Sequence, residues 1–365
     1  MPSSVYIHIP FCKSICSYCD FCKMFYYKPF VDKYLLALNK EIKEKYIGNI
    51  IKTLYIGGGS PSSLSIDELK QLFEILRTIK ISRDCEITIE VNINDIEEEK
   101  LKLFHKFGVN RVSIGIETVN QKFFSFLNRY NKKDEIIKKI GLVKKYFNNI
   151  NIDMMYAFPS ETLDELKNDL DFVTKLEPSH ISIYSLIIEE HTKLFIDKTL
   201  PLDEEEEEKM YYYIIKYLSE KGYNHYEISN FSLDGKESQH NLVYWNNLPY
   251  YGFGLGASGY IDDFRYSNTK SLNKYIDGKY IKDSEIVSKK IMMENEMMLG
   301  LRKTKGVNKK EFYKKYSLNL LDTFDIMDLI NKKLLIDDKD NIYIPSNRLY
   351  VSNSIIVNFI GGCLK

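Results

Sequence analysis

Cysteine is scarce in this chain of 365 residues, six in all, and four of the six fall between Cys12 and Cys22. A disulfide framework spreads paired cysteines through a small secreted fold, so this usage excludes one and points to a reducing compartment. Charge of either sign is in no excess: Lys plus Arg and Asp plus Glu both number 51. That balance removes the electrostatic reason to expect a nucleic-acid partner. Long apolar runs are missing as well. None approaches the roughly 18 residues that span a bilayer, and the N-terminus lacks a signal-peptide pattern, so a cytoplasmic protein is expected. Disorder is not expected, because a composition 44% hydrophobic and 28% charged is globular. The length suffices for one large domain and a smaller one.

The informative stretch is VYIHIPFCKSICSYCDFC, Val5 to Cys22. The apolar run Val5 to Ile9 reads as a buried strand ended by Pro10, and Cys12, Cys16 and Cys19 follow on one loop with C-x3-C-x2-C spacing. Thiolates this close can converge on one soft metal centre, either a zinc ion or an iron-sulfur cluster. Zinc wants four ligands, and Cys22 would complete an all-cysteine set. A zinc knuckle, however, pairs two hooks from separate stretches, and a single loop closes awkwardly into a tetrahedron. Three ligands suit a [4Fe-4S] cluster better and leave one iron open to a substrate or cofactor. Buried structural cysteines without metal are the third alternative.

Along the chain, short apolar runs recur, each followed by a helical pattern: Val5 to Ile9, Leu54 to Ile56, Glu86 to Val91, Arg111 to Ile116, Asn151 to Met155 and Ile181 to Leu186. Six such units argue for parallel βαβ construction and a partial (β/α)6 TIM-like barrel within the α/β class. Ser65 with Glu68 forms a capping-box pattern, and a helix from Thr162 stops before Pro178. Chemistry in such a fold belongs at the C-terminal strand ends. There the sequence places the cysteines, then Gly57-Gly58-Gly59-Ser60-Pro61, a tight turn or a binding loop, then the carboxylates Glu90 and Glu117, with Asp153 inside the fifth strand. Glu204 to Glu208 reads as the solvated start of a helix. His240, in QHNLVYW with the only Trp, is a packed residue or a ligand. From Glu285 onward helices at Ile286–Leu301, Lys309–Tyr316 and Leu320–Lys333, with Met residues in the core, precede a hairpin turning at Asp338. The expected division is a barrel over 1–202, a joint with the HNxxYW and glycine-rich segments over 203–284, and a winged-helix-like α+β domain over 285–365. Cys85 and Cys363 have no evident partner.

With Tyr18 just before its third Cys, the C-x3-C-x2-C word resembles the signature of radical S-adenosylmethionine (SAM) proteins. YIHIPFC, YCDF, NRVSIGIE and HNxxYW are similar to words of the branch that contains oxygen-independent coproporphyrinogen III oxidase and the HemW-type heme chaperones. The resemblance implies a [4Fe-4S] cluster on Cys12, Cys16 and Cys19, whose open iron chelates SAM. It further implies SAM contacts from Tyr6, Tyr18, Gly58, Gly59, Ser60, Glu90, Glu117, Arg129 and Asp153, and heme binding at His240. Two departures stand out: the family carries Gln where this chain has Glu117, and Arg-x-His at Arg129-Tyr130-Asn131. Tyr156-Ala-Phe-Pro-Ser-Glu-Thr162 also stands where the family often has Gly-Leu-Pro-Gly-Gln-Thr after the strand. YCDF and HNxxYW favour a heme chaperone with heme, a recipient hemoprotein and an electron donor as partners, and with a homodimer as an option. The alternative is the oxidase, which turns two propionates of coproporphyrinogen III into vinyl groups by a 5′-deoxyadenosyl radical. Whether the chain is an enzyme stays open, as does the role of Cys22, which lies three residues past Cys19 where the oxidase has a Cys at two.

Overall fold

Val5, Ile7 and Ile9 have no exposed surface on strand β1 (Ser4–Ile9), which is the pattern of a parallel strand covered on both faces. The computed structural model describes residues 1–361, so Cys363 lies outside the described residues. The chain divides into one unit made of Met1–Met210 with Pro249–Glu285, and a second made of Tyr211–Leu248 with the residues from Ile286 onward.

In the first unit the six expected strands are present: β1, β2 (Ile51–Gly58), β3 (Ile81–Asn92), β4 (Arg111–Glu117), β5 (Ile150–Tyr156) and β6 (His180–Ser185). Each is parallel to the next, with Ile7 opposite Ile56 and Ile152 opposite Ile181 in the pairing. A seventh parallel strand, β7 (Tyr251–Phe253), joins the free side of β1, so the order is β7-β1-β2-β3-β4-β5-β6. The capping boxes Ser65–Glu68 and Thr162–Glu165 open their helices as the sequence indicates. Both place acidic side chains at a helix N-terminus, where the dipole favours them.

The segment read as a joint, 203–284, is shared between the units, and the reason is a buried carboxylate. Glu41, on helix α1 (Lys28–Lys45), is fully buried. It accepts from Gly254 N at 2.8 Å, Asn268 Nδ2 at 2.7 Å and the Tyr275 hydroxyl at 2.6 Å. These bonds tie Pro249–Glu285 to α1 and bring β7 to β1.

The second unit contains the antiparallel pair Asn224–Glu227 and Asn230–Ser232, the short helix Gln239–Trp245, and the helices Lys289–Gly300 and Lys309–Tyr316. A three-stranded antiparallel sheet, Val307–Asn308, Asn341–Tyr343 and Ile336–Asp337, supplies the wing. Met293 and Met297 are buried in the core. The continuous helix expected over Leu320–Lys333 is broken. Leu320–Thr323 and Met327–Asn331 are separate, and Phe324 between them is extended at φ −113°. Its ring packs 6.0 Å from Phe312 and 5.5 Å from Phe359, so tertiary burial overrides local helix preference. Among the described residues no helix is long and apolar enough to cross a membrane.

Candidate functional site

The strands β1 to β6 deliver their C-terminal ends to one cavity of about 410 Å³. Every expected site residue of the first unit except Tyr6 lines it: Cys12, Cys16, Tyr18, Cys19, Gly58, Gly59, Ser60, Glu90, Glu117, Arg129 and Asp153. Tyr6 lies on β1 with its hydroxyl 3.0 Å from His8 Nδ1. His240 lies in the second unit on Gln239–Trp245, buried, with Nε2 2.8 Å from the Tyr244 hydroxyl.

The cysteine loop leaves β1 at Pro10 and is closed at its base by two bonds, Met24 N to Pro10 O at 2.7 Å and Tyr26 N to Cys12 O at 2.8 Å. Its crest is held from outside: Ser17 N donates to Leu127 O at 3.1 Å and Ser17 O accepts from Leu194 N at 3.3 Å. Tyr18 packs on the buried cluster of Phe123, Leu127, Met155, Phe158, Leu186 and Leu194. The thiols are thus fixed by backbone bonds and a small core.

These residues fit a cluster. Cys12, Cys16 and Cys19 are free thiols on one cavity wall. Gly59 supplies the room, since a Cβ there would stand 2.9 Å from Cys12 Sγ. Among the described residues no three His, Cys, Asp or Glu side chains draw close enough for one ion. Burial, with repulsion from Cys19 and Cys16, pushes the Cys12 thiol up to about 12, so a metal taken up there would have to displace its proton.

Cys22 does not line this cavity. A Cβ on Gly256, whose φ is +71°, would lie 2.7 Å from Cys22 Cβ and 3.0 Å from its Sγ, so the thiol is packed against a backbone that has no side chain. The Cys22 carbonyl accepts from His8 Nε2 at 2.7 Å. A carbonyl can only accept, so His8 carries its proton on Nε2, and Nδ1 accepts from the Tyr6 hydroxyl. Burial lowers the His8 pKa to about 4, which keeps the ring neutral. Sequence reading passed over His8. Its position in the strand alternation, next to Tyr6, was the available clue.

Three carboxylates line the cavity, Glu117 buried and Glu90 and Asp153 half-buried. Glu90 accepts from the Tyr55 hydroxyl at 2.8 Å and Gly58 N at 3.0 Å, and burial pushes its pKa up to about 7. Asp153 accepts from the Ser113 hydroxyl at 3.0 Å and Asn151 Nδ2 at 2.7 Å, and burial raises it too. Glu117 sits at a bulge ending β4 with φ +62°. Its Oε1 accepts from Tyr18 at 3.0 Å and from Arg129 Nη2 at 2.5 Å. Gly115 makes space for the pair, since a Cβ there would lie 2.7 Å from Glu117 Oε1. Glu117 Oε2 and Arg129 Nε and Nη1 are buried with no hydrogen-bond partner in the protein. Buried polar atoms without partners are costly, and the two residues that carry them line the cavity. A ligand that donates near Glu117 and offers an acceptor to Arg129 would satisfy them.

The loop after β5 carries a local conflict. Ala157 and Ser160 adopt φ +64° and +61°, the left-handed region that costs an L-residue about 1–2 kcal/mol. Glu161, where burial raises the pKa to about 8, accepts from Phe158 N at 3.0 Å. Replacing either residue with glycine, Ala157→Gly or Ser160→Gly, is expected to stabilise the protein by about 0.5–1 kcal/mol, after the added unfolded-state entropy is deducted. Urea denaturation reads the change, and a loss of stability in both variants would contradict the strain.

Residues 6–173 match the radical SAM superfamily, and residues 287–347 match the HemN C-terminal domain. The chain is 37% identical over 372 residues to the heme chaperone HemW of Lactococcus lactis, covering 98% of this chain and 97% of that protein. It is 38% identical to the heme chaperone HemW of Bacillus subtilis, covering 98% and 99%. Among solved structures, coproporphyrinogen III oxidase (HemN) from Escherichia coli superposes with a TM-score of 0.86 over 98% of this chain and 90% of that one, at 21% identity. At that identity the match speaks for the fold.

Proposed function

This chain belongs to the HemW family of radical SAM proteins, and from that premise we propose that it is a cytoplasmic heme chaperone that captures heme and passes it to a recipient hemoprotein. The observation that carries the reading is end-to-end similarity to curated heme chaperones, at 37% and 38% identity over 98% of the chain. The words YCDF and HNxxYW fall inside that span.

On this reading Cys12, Cys16 and Cys19 would hold a [4Fe-4S] cluster, which would supply an open iron site for the methionine end of SAM. Gly58, Gly59 and Ser60 let the backbone approach that end of the ligand. Glu90 and Asp153 accept from its hydroxyl or ammonium groups, and Arg129 pairs with its carboxylate. His240 supplies an imidazole to the heme iron. Its Nε2 is engaged by Tyr244, so coordination through that nitrogen requires the tyrosine hydroxyl to move away. An electron donor and a hemoprotein complete the set of partners.

The test is a heme titration followed in the Soret region, on anaerobically reconstituted wild type and His240→Ala. Stoichiometric binding by the wild type, weakened about tenfold or more by the substitution, is expected; each tenfold corresponds to about 1.4 kcal/mol. Absence of heme binding by the wild type would overturn the chaperone reading. Anaerobic conversion of coproporphyrinogen III with SAM would place the chain with the oxidase instead.

A further inference from the structure

Glu90 and Asp153 have both carboxylate oxygens occupied. Tyr55 and Gly58 N take the two oxygens of Glu90, and Asn151 and Ser113 take the two of Asp153. Glu117 differs. Its Oε1 accepts from both Tyr18 and Arg129, while Oε2 is buried with no partner. Among these three carboxylates it alone keeps an oxygen with no hydrogen-bond partner in the protein, on a residue that lines the cavity.

It is also the one of the three that is paired with a guanidinium, although burial raises its pKa too. Arg129 donates to it at 2.5 Å, and the guanidinium is held firmly protonated by Glu117 and Tyr18. Glu90 and Asp153 are bonded only by neutral donors, so each can shed its charge by taking up a proton. The basic groups at the rim are engaged elsewhere: Lys13 pairs with Asp95 at 2.8 Å, and Lys23 donates to the Cys19 carbonyl. Arg111, itself buried, acts on Glu90 and Asp153, and the Glu117–Arg129 pair is the ion pair on the cavity lining.

We infer that Glu117 sets the selectivity of this cavity for a cationic adenosyl sulfonium ligand over the neutral thioether of the same shape. The inference rests on the SAM-binding part of the proposed function. SAM and S-adenosylhomocysteine share adenosine, ribose and the amino-acid end, and they differ by one methyl group and one positive charge. Neutral hydrogen bonding at Glu117 contributes equally to both. The negative charge of Glu117 contributes to one of them. Replacing Glu117 with the isosteric amide keeps an acceptor for Tyr18 and Arg129, removes the charge, and leaves the guanidinium uncompensated on the cavity lining. The loss therefore falls on SAM.

The readout is the ratio of dissociation constants, S-adenosylhomocysteine to SAM, measured by anaerobic calorimetry on cluster-loaded protein. Glu117→Gln is expected to lower that ratio about tenfold or more, and Glu117→Asp, which keeps the charge, to hold it within about threefold; tenfold corresponds to about 1.4 kcal/mol. An unchanged ratio in Glu117→Gln overturns the inference and leaves the SAM reading standing. Failure of the wild type to bind either ligand defeats the SAM reading, and the inference with it. If Glu117→Gln binds neither ligand, Glu117→Asp decides: a retained ratio supports the charge and a collapsed one overturns it.

Discussion

Cys16→Ser should purify without iron, and Cys22→Ser should keep about four iron atoms per chain after anaerobic reconstitution. The two residues stand in different surroundings. Cys16 shares the cavity wall with Cys12 and Cys19, on a loop fixed at its base and crest by backbone bonds that a serine leaves intact. The substitution removes a thiolate and little else, so loss of iron would report on ligation and not on folding. Cys22 is packed against Gly256, and the bond to its carbonyl from His8 comes from the backbone. Serine keeps that carbonyl and is smaller than the thiol. If Cys22→Ser also lost its iron, with the fold retained by circular dichroism, the three-ligand assignment would fail and the four-cysteine alternative would return.

What the sequence made legible is what is local. The cysteine spacing, the triple glycine and the carboxylates near successive strand ends each announce themselves within a few residues, and the strand-helix alternation says which end of the sheet they share. Eleven of the residues expected at the site accordingly line one cavity. Strand existence was readable where both faces are buried. Strand length was not: β3 begins at Ile81 and not at Glu86, because Ile81 to Asp84 project beyond the core and carry no apolar alternation.

The illegible parts depend on partners distant in sequence. Nothing near Tyr251 marks a strand, since β7 is three residues long and exists because Glu41 pulls Gly254, Asn268 and Tyr275 toward α1. The glycines between Tyr251 and Gly259 acquire a reason only in three dimensions, where Gly256 meets Cys22. Likewise, the departure at Glu117 reads in sequence as a lost donor. In the structure the carboxylate gains a guanidinium from Arg129, twelve positions on. The departures at Ala157 and Ser160 are the reverse case. They look mild in sequence, yet both fall in backbone that favours glycine.

Arg129→Met should destabilise the protein by about 3–5 kcal/mol near pH 8, the range expected when one partner of a buried ion pair is removed. Both side chains are largely buried, at 12% and 7% exposure, so the carboxylate left behind keeps Tyr18 as its one protein donor and little contact with solvent. Burial already raises the Glu117 pKa, and Arg129 is the largest opposing influence; without it the pKa rises further. The sign follows from linkage. A carboxyl whose folded pKa lies above its unfolded value stabilises the fold at low pH and loses that contribution as pH rises through the folded pKa. The penalty in Arg129→Met should therefore shrink as pH falls from about 8 to about 5.5. The double variant Arg129→Met/Glu117→Gln removes the stranded charge and should recover about 2 kcal/mol of the loss near pH 8. Urea denaturation of anaerobically purified protein without added SAM, at both pH values, distinguishes the cases. Equal, pH-independent losses in the single and double variants would mean that Arg129 contributes packing alone, and that the charge on Glu117 has little influence on the cavity.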